Sequence, residues 1–238
     1  MWEERTRLMF GVESLTKLHA AHVLVVGLGG VGAYAAEMLC RAGVGELSLI
    51  DADVVSESNI NRQLIALHST VGQPKTEVLA ARLRDINPNV KLHIFPEFLR
   101  DERTLEVLQV AHYDFLVDAI DTLSPKVFLL RHAFTLGIPT VSSMGSGGKT
   151  DPMQVRICDI SKSNHCKLAH MVRKNLHRLG VRKGITVVFS PEIVSENRIE
   201  IVENEQNKRS NVGTVSYMPA VFGCFAASHV IRTIIGDN

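Results

Sequence analysis

His22-Val23-Leu24-Val25-Val26-Gly27-Leu28-Gly29-Gly30-Val31-Gly32 is an apolar run that passes without a break into a glycine-rich turn. Val31, Ala35, Leu39 and Ala42 then recur at helical spacing, so the stretch reads as strand, tight turn and helix. Glycines in such a turn let backbone approach a ligand closely, and the helix start presents unpaired N–H groups and a positive dipole end to a phosphate. A second apolar strand, Glu46 to Ile50, ends at Asp51, roughly twenty residues past the turn, where a carboxylate can hold ribose hydroxyls. A nucleotide site follows, but not its ligand: such turns also serve nicotinamide and flavin dinucleotides.

The residues beyond Asp51 narrow the choice. Asp53, Asn59, Asn61, Arg62 and Gln63, followed by Gly72-Gln73-Pro74-Lys75, gather carboxylates, amides and cations just past the strand end. A dinucleotide's pyrophosphate is largely satisfied by the helix dipole, whereas a nucleoside triphosphate brings about four negative charges that need cations and usually Mg²⁺. Arg62 and Lys75 supply that charge, and Asp53 is a candidate metal ligand. A later strand, Phe115 to Val117, runs into Asp118-Ala119-Ile120-Asp121. Asp121 therefore lies at the carboxyl end of a strand, where parallel sheets bind ligands, and is a candidate for Mg²⁺ or for organising phosphate. The competing role, capping the next helix, suits Thr122 or Ser124 better.

The string from Val25 through Lys75, continued by Asp118 to Asp121 and by Lys126, resembles the nucleotide site of the ubiquitin-activating-enzyme-like adenylyltransferases. That superfamily includes the activating enzymes for sulfur carriers in thiamine and molybdopterin synthesis. The resemblance covers most of residues 1–155. Arg5-Thr6-Arg7-Leu8, Gly145-Ser-Gly-Gly148-Lys-Thr-Asp151-Pro152 and Ser216-Tyr217-Met-Pro219-Ala-Val-Phe-Gly223 are most similar to its tRNA threonylcarbamoyladenosine dehydratase branch.

The resemblance implies that ATP is bound by Gly27, Gly29, Gly30, Gly32, Asp51, Asp53, Asn59, Arg62, Gln63, Lys75 and Asp121. It also implies Mg²⁺ on Asp53 and Asp121, and catalysis by Arg62, Lys75, Asp121 and an N-terminal arginine reaching across a homodimer. Arg5 is chosen for that role, with Arg7 the alternative. The implied reaction adenylates the threonylcarbamoyl carboxylate of the modified adenosine in tRNA, which closes on itself with net loss of water. Activation of the C-terminus of a ubiquitin-like sulfur-carrier protein, with a sulfur-transfer protein as partner, is the alternative; such activators commonly carry paired CxxC zinc ligands, which this chain lacks. A nicotinamide-dependent oxidoreductase would leave Arg62 and Lys75 without a purpose. An inactive tRNA-binding module is a third reading.

Bulk properties set the frame. The chain has 238 residues and a formal net charge of +1, enough length for a substantial core and too little charge to argue for a polyanion or membrane partner on average. Its four cysteines, Cys40, Cys158, Cys166 and Cys224, form no CxxC, which favours a reduced, cytoplasmic chain without zinc or disulfides. No secretory signal is visible at the N-terminus. Val212 to Ile235 is apolar but interrupted by Pro219, His229 and Arg232, so a buried terminal helix is expected rather than a membrane span.

Helical spacing is also found over Thr6 to Ala20 (Leu8, Leu15 and Leu18 on the apolar side), Lys75 to Asn87, Asp101 to Val110 and Pro125 to Gly137. Strands are expected at Lys91 to Phe95 and Thr140 to Ser143, with an antiparallel extension at Gln154 to Ile157. The alternation predicts an α/β, Rossmann-like, doubly wound and mostly parallel sheet with an antiparallel C-terminal extension, forming one domain: residues 1–155 the nucleotide-binding core, 156–238 a basic segment, hairpin and terminal helix. The glycine turn at Gly145 to Gly148 is either a plain connection or an opening for the substrate carboxylate. A hairpin is expected at Arg198 to Val202, with a mobile loop reaching Asn211.

From Ile160 to Pro191 the chain has no Asp or Glu, while Lys162, Lys167, Arg173, Lys174, Arg178, Arg182 and Lys183 are interleaved with His165, His170 and His177. Such a stripe is the electrostatic footprint of a phosphate backbone, so Lys167, Arg173, Lys174, Arg178, Arg182 and Lys183 are candidate tRNA contacts. A solvated helix face is the bland alternative, with Leu168, Met171, Val172, Leu176 and Leu179 inside. Cys166 has no visible base partner and reads as a structural thiol. His22, His68, His93 and His112 lack a spacing such as HExxH and read as core or surface histidines.

Overall fold

The computed structural model describes residues 2–201 and 210–237. In chain order the elements are α1 (Glu4–Ala20), β1 (His22–Val26), α2 (Gly32–Ala42), β2 (Glu46–Ile50), α3 (Lys75–Ile86), β3 (Lys91–Phe95), α4 (Asp101–Gln109), β4 (Phe115–Asp118), α5 (Leu123–Leu136), β5 (Thr140–Ser143), β6 (Arg156–Asp159), α6 (Lys167–Arg178), β7 (Thr186–Phe189), β8 (Ile199–Ile201), β9 (Ser210–Val212) and α7 (Tyr217–Ile235).

A seven-stranded sheet runs β3-β2-β1-β4-β5-β7-β6. All its pairs are parallel except β6 with β7, where Arg156 faces Phe189. β1 is central and buried on both faces, as its unbroken apolar run requires. Helices α1, α2, α3 and α7 share a core with one face, built from Val23, Val25, Leu39, Leu47, Leu79, Phe222 and Val230. Leu24, Val26, Leu108, Leu116 and Leu129 pack the other face under α4 and α5. Each such side chain, fully buried, contributes about 1.5–3 kcal/mol.

The doubly wound fold matches the sequence expectation, with three local differences. β7 was not anticipated: Thr186 to Phe189 is short and lies inside the basic segment, yet it inserts between β5 and β6. Leu8 is exposed while Leu15 and Leu18 are buried, because Gly11 (φ 81°, ψ 169°) breaks α1 and turns its first part away from the core. The hairpin pairs β8 with β9, Ile199 opposite Val212, so its second strand lies well beyond Val202. The loop expected there falls at residues 202–209, outside the described residues. α7 is long and apolar enough to cross a membrane by length and composition, and here it packs on the sheet through Met218, Phe222, Ala226 and Val230.

α2 and α3 are joined by a buried carboxylate. Glu37 accepts hydrogen bonds from Arg41 at 2.8 Å and from Arg82 at 2.5 and 3.2 Å. Burial pushes its carboxyl upward, but the Arg82 and Arg41 guanidiniums outweigh that and hold it below the ordinary carboxylate value. A depressed carboxylate stabilises the fold above its unfolded pKa and loses that contribution as pH falls through the lowered one. Glu37→Gln is therefore expected to melt below the native protein at neutral pH, with the gap closing in acid; a gap constant across a melting series would remove the charge from the explanation.

Candidate active site

The order of the sheet reverses between β1 and β4, the crevice where such folds bind ligands at the strands' carboxyl ends. Gly27 leaves β1 with φ +87°, and a Cβ there would stand 2.9 Å from the Ala119 carbonyl carbon. A Cβ on Gly32 would run into the Gly27 carbonyl oxygen, and one on Gly30 would lie 2.8 Å from Pro219 Cβ. These three glycines are required by the fold itself. Gly29 differs: an added Cβ would meet only Gln63 Nε2, at 3.7 Å. Gln63 Oε1 beside it is buried without a hydrogen-bond partner, which suits a site that receives a polar ligand.

Asp51 grips the turn from below. One carboxylate oxygen accepts the Leu28 N–H at 2.6 Å and the other the Asp53 N–H at 2.8 Å. Burial raises its pKa, with Lys75 and the two amides opposing the shift. Lys75 opens α3, is itself buried, and donates to Asp53 Oδ2 at 2.7 Å. Asp53, expected as a metal ligand, is thus the counter-ion of Lys75. Asp121 is exposed just past β4 and has no hydrogen-bond or ion-pair partner among the described residues, so its oxygens are the ones open to a cation.

The loop between β2 and α3 presents the remaining residues. Asn59 is buried and accepts the Ser56 N–H at 3.2 Å. Arg62 donates to Ser58 O at 2.8 Å and Asn61 Oδ1 at 2.9 Å, while Asn61 donates to Thr214 O at 3.0 Å. The turn, Arg62 and the entry to α7 are therefore one assembly. Arg5 and Arg7 are both exposed on α1.

Sequence reasoning gave no role to several polar anchors. Asp118 and Lys126 form a completely buried pair at 2.7 Å; Ser142 donates to Asp118 at 2.6 Å. Lys149, buried, donates to Ser190 O at 2.7 Å and Glu192 O at 2.9 Å, and burial lowers its pKa. Glu192 accepts the Thr150 and Asp151 N–H groups, and Tyr217 donates to Thr150 O at 2.8 Å. Added side chains at Gly147 and Gly148 would strike Val212 and Val194, so that turn is covered by neighbouring chain.

On α6, Ala169, Val172 and Leu176 face inward, while Met171 and Leu179 are exposed. Lys167, Lys174, Arg178, Arg182 and Lys183 are exposed. Arg173 is different: its guanidinium donates to Ser163 O and Ser163 Oγ, both at 2.7 Å, and to Ile160 O at 3.3 Å. It anchors the loop before the helix.

A doubly wound sheet whose switch point carries a glycine turn, a buried carboxylate and a buried lysine has the form of a nucleotide-binding fold, and the chain matches the ThiF family over residues 4–238 and belongs to it. It is 38% identical over 240 residues to the tRNA threonylcarbamoyladenosine dehydratase of Bacillus subtilis, covering 98% of this chain and 94% of the relative. It is also similar to the crystal structure of the Escherichia coli tRNA N6-threonylcarbamoyladenosine dehydratase, TcdA, in complex with ATP, with a TM-score of 0.89 at 33% identity, covering 98% of this chain and 93% of that one. Likeness to the adenylyltransferase and sulfurtransferase MOCS3 of Arabidopsis thaliana, 38% identical over 138 residues, reaches 58% of this chain and 29% of the relative.

The glycine geometry separates folding from binding. Gly29→Ala is expected to fold with native circular dichroism and to bind ATP about tenfold or more weakly by calorimetry, because the added methyl holds a phosphate away from the backbone N–H groups of the turn and costs a hydrogen bond to a charged group. Gly32→Ala, which collides with the Gly27 carbonyl, is expected to yield no soluble folded protein.

Proposed function

We propose that this chain is an AMP-forming enzyme that uses ATP to cyclise N6-threonylcarbamoyladenosine in tRNA. The observation that carries this reading is the extent of the likeness: it runs through α6 and α7 for the dehydratases and covers little more than half the chain for the sulfur-carrier activator. The threonylcarbamoyl carboxylate attacks the α-phosphorus of ATP, the bond to the β-phosphate oxygen breaks, and pyrophosphate leaves. The resulting acyl-adenylate is a mixed anhydride. The substrate's own carbamoyl group closes on the activated carbonyl, AMP departs, and the nucleoside has lost one water.

In this reading the glycine turn and Asp51 hold ATP, with Asn59 and Gln63 beside it, and Arg62 and Lys75 face the developing phosphate charge. Mg²⁺ held by Asp121, with Asp53 available as Lys75 turns to phosphate, would neutralise triphosphate charge. No step needs a protein nucleophile, which agrees with Cys166 being buried at the start of α6. The chain acts as one domain in the cytoplasm. It works as a homodimer, Arg5 reaching the partner's site from an α1 whose exposed Leu8, Met9 and Val12 favour burial against another surface. The exposed cations of α6 and of the turn after it receive the tRNA backbone.

Incubated with threonylcarbamoylated tRNA, the purified protein is expected to release AMP and yield a nucleoside lighter by one water, and to do neither with unmodified tRNA. AMP release that requires a small carrier protein instead would keep the ATP site and reassign the substrate. Reversing Lys174 and Arg178 to Glu together is expected to weaken tRNA binding about tenfold or more and flatten its salt dependence by about one to two in slope, with ATP affinity unchanged.

A further inference from the structure

The opposite edge of the sheet carries a cluster that no nucleotide chemistry uses. β1, β2 and β3 are in register so that His22 pairs with Glu46 and Ser48 with His93. Side chains two apart on a strand share a face, which brings His22, Glu46, Ser48 and His93 together at the strands' amino ends. His93 Nε2 stands 2.7 Å from Glu46 Oε1, and His22 Nδ1 stands 3.6 Å from the same oxygen. One ligand atom from each of His22, Glu46 and His93 lies within 4.8 Å of the others.

We propose that His22, Glu46 and His93 form a binding site for a divalent transition-metal ion of the zinc class, remote from the nucleotide crevice. Two imidazoles and one carboxylate suit Zn²⁺, Co²⁺ or Ni²⁺, and are a poor set for Mg²⁺ or Ca²⁺, which take oxygen ligands. Donor atoms around a tetrahedral zinc with bonds of about 2.0 Å stand about 3.3 Å apart, so small ring rotations and a swing of the carboxylate complete the set. Three protein ligands leave the fourth position to water.

Two further features fit a metal centre. His22 Nε2 lies 2.9 Å from Ser48 Oγ, which fixes the ring and turns Nδ1 towards Glu46. An outer hydrogen bond of this kind orients most metal-bound histidines. Tyr113, 3% exposed, has its ring 4.7 Å from that of His22, and its hydroxyl lies near Ser48 without the geometry of a hydrogen bond. It is a buried polar group beside the cluster that has no hydrogen-bond partner. Lys91 Nζ, 4.0 Å from Glu46, is the one lysine or arginine paired with this carboxylate among the described residues and is largely exposed, so it is easily displaced. An ion here would tie together the three strands that carry the glycine turn and Asp51, and by mass action would raise the melting temperature.

The test uses the full chain, stripped with a chelator and free of ATP. Zn²⁺ titration by calorimetry is expected to show one tight equivalent and a raised melting temperature, Co²⁺ to give the visible d–d absorption of an imidazole and carboxylate site, and Mg²⁺ to do neither. His93→Gln and Glu46→Gln, on exposed or half-buried positions that tolerate change, are each expected to weaken Zn²⁺ binding about tenfold or more, while His170→Gln and Cys224→Ser leave it intact. The proposal is overturned if the native protein takes up no Zn²⁺. Binding that survives both variants, or that is abolished by His170→Gln or Cys224→Ser, overturns it equally. None of these outcomes touches the tRNA reading, which stands or falls on AMP release.

Discussion

A carboxylate and an ammonium buried together where β4, β5 and α5 meet set the geometry on which the crevice rests. Asp118 is paired with Lys126, accepts from the Ser142 hydroxyl, and turns its other oxygen to the Ile120 N–H at 3.0 Å. Lys126 also donates to Ile120 O at 2.8 Å. Two buried charges cost several kcal/mol each, which their attraction offsets only with the help of further hydrogen bonds; here Ile120 supplies one to each partner and Ser142 another to the carboxylate. The chain from Asp118 to Ile120 is therefore held in place. The Ala119 carbonyl in that bend is the surface against which Gly27 packs, so the conformation of the glycine turn is inherited from the ion pair.

The same turn is clamped from its other side by the end of the chain. Pro219 fills the space beside Gly30, and a Cβ on Gly223 would stand 2.5 Å from Val31 O. α7 thus fits α2 at backbone distance, and Asn61 and Tyr217 tie its entry to the Arg62 loop and to Thr150. Residues far apart in sequence thus share responsibility for the shape of one turn. Gly29, with open space and an unpaired amide oxygen beside it, is where this rigid assembly relaxes.

What could be read from the sequence follows from how local each signal is. β1, its turn and α2 were legible because apolar run, glycines and helical spacing are contiguous, and Asp51 because its distance from the turn is set by one βαβ unit. The place of Asp121 followed from the strand before it. β7 was hidden because its four residues sit among cations that advertised a surface. Leu8 misled because the apolar spacing of α1 runs through Gly11, where the backbone does not. The roles of Asp53, Arg173 and Lys126 depend on partners brought by tertiary structure: spacing shows that a charge is present, and burial decides which neighbour it must have. The histidines at the amino edge look unrelated in sequence because only strand register makes them neighbours.

The acid-free helix shows the converse, a charge pattern the fold tolerates without using. Lys174 and Arg178 stand four apart on α6, a like-charge spacing that costs a helix about 0.2–0.5 kcal/mol. Val172 and Leu176 on its inner face pack with Leu130, Val187 and Phe189, and burial of each contributes about 1.5–3 kcal/mol. The core therefore holds α6 in place whatever its outer face carries, and the repulsion is a small, standing cost. Arg173, the cation that the fold does employ, is turned inward to three oxygens, whereas its neighbours remain exposed. A polyanion laid across that face would remove the repulsion as it bound, so the helix would be more stable bound than alone.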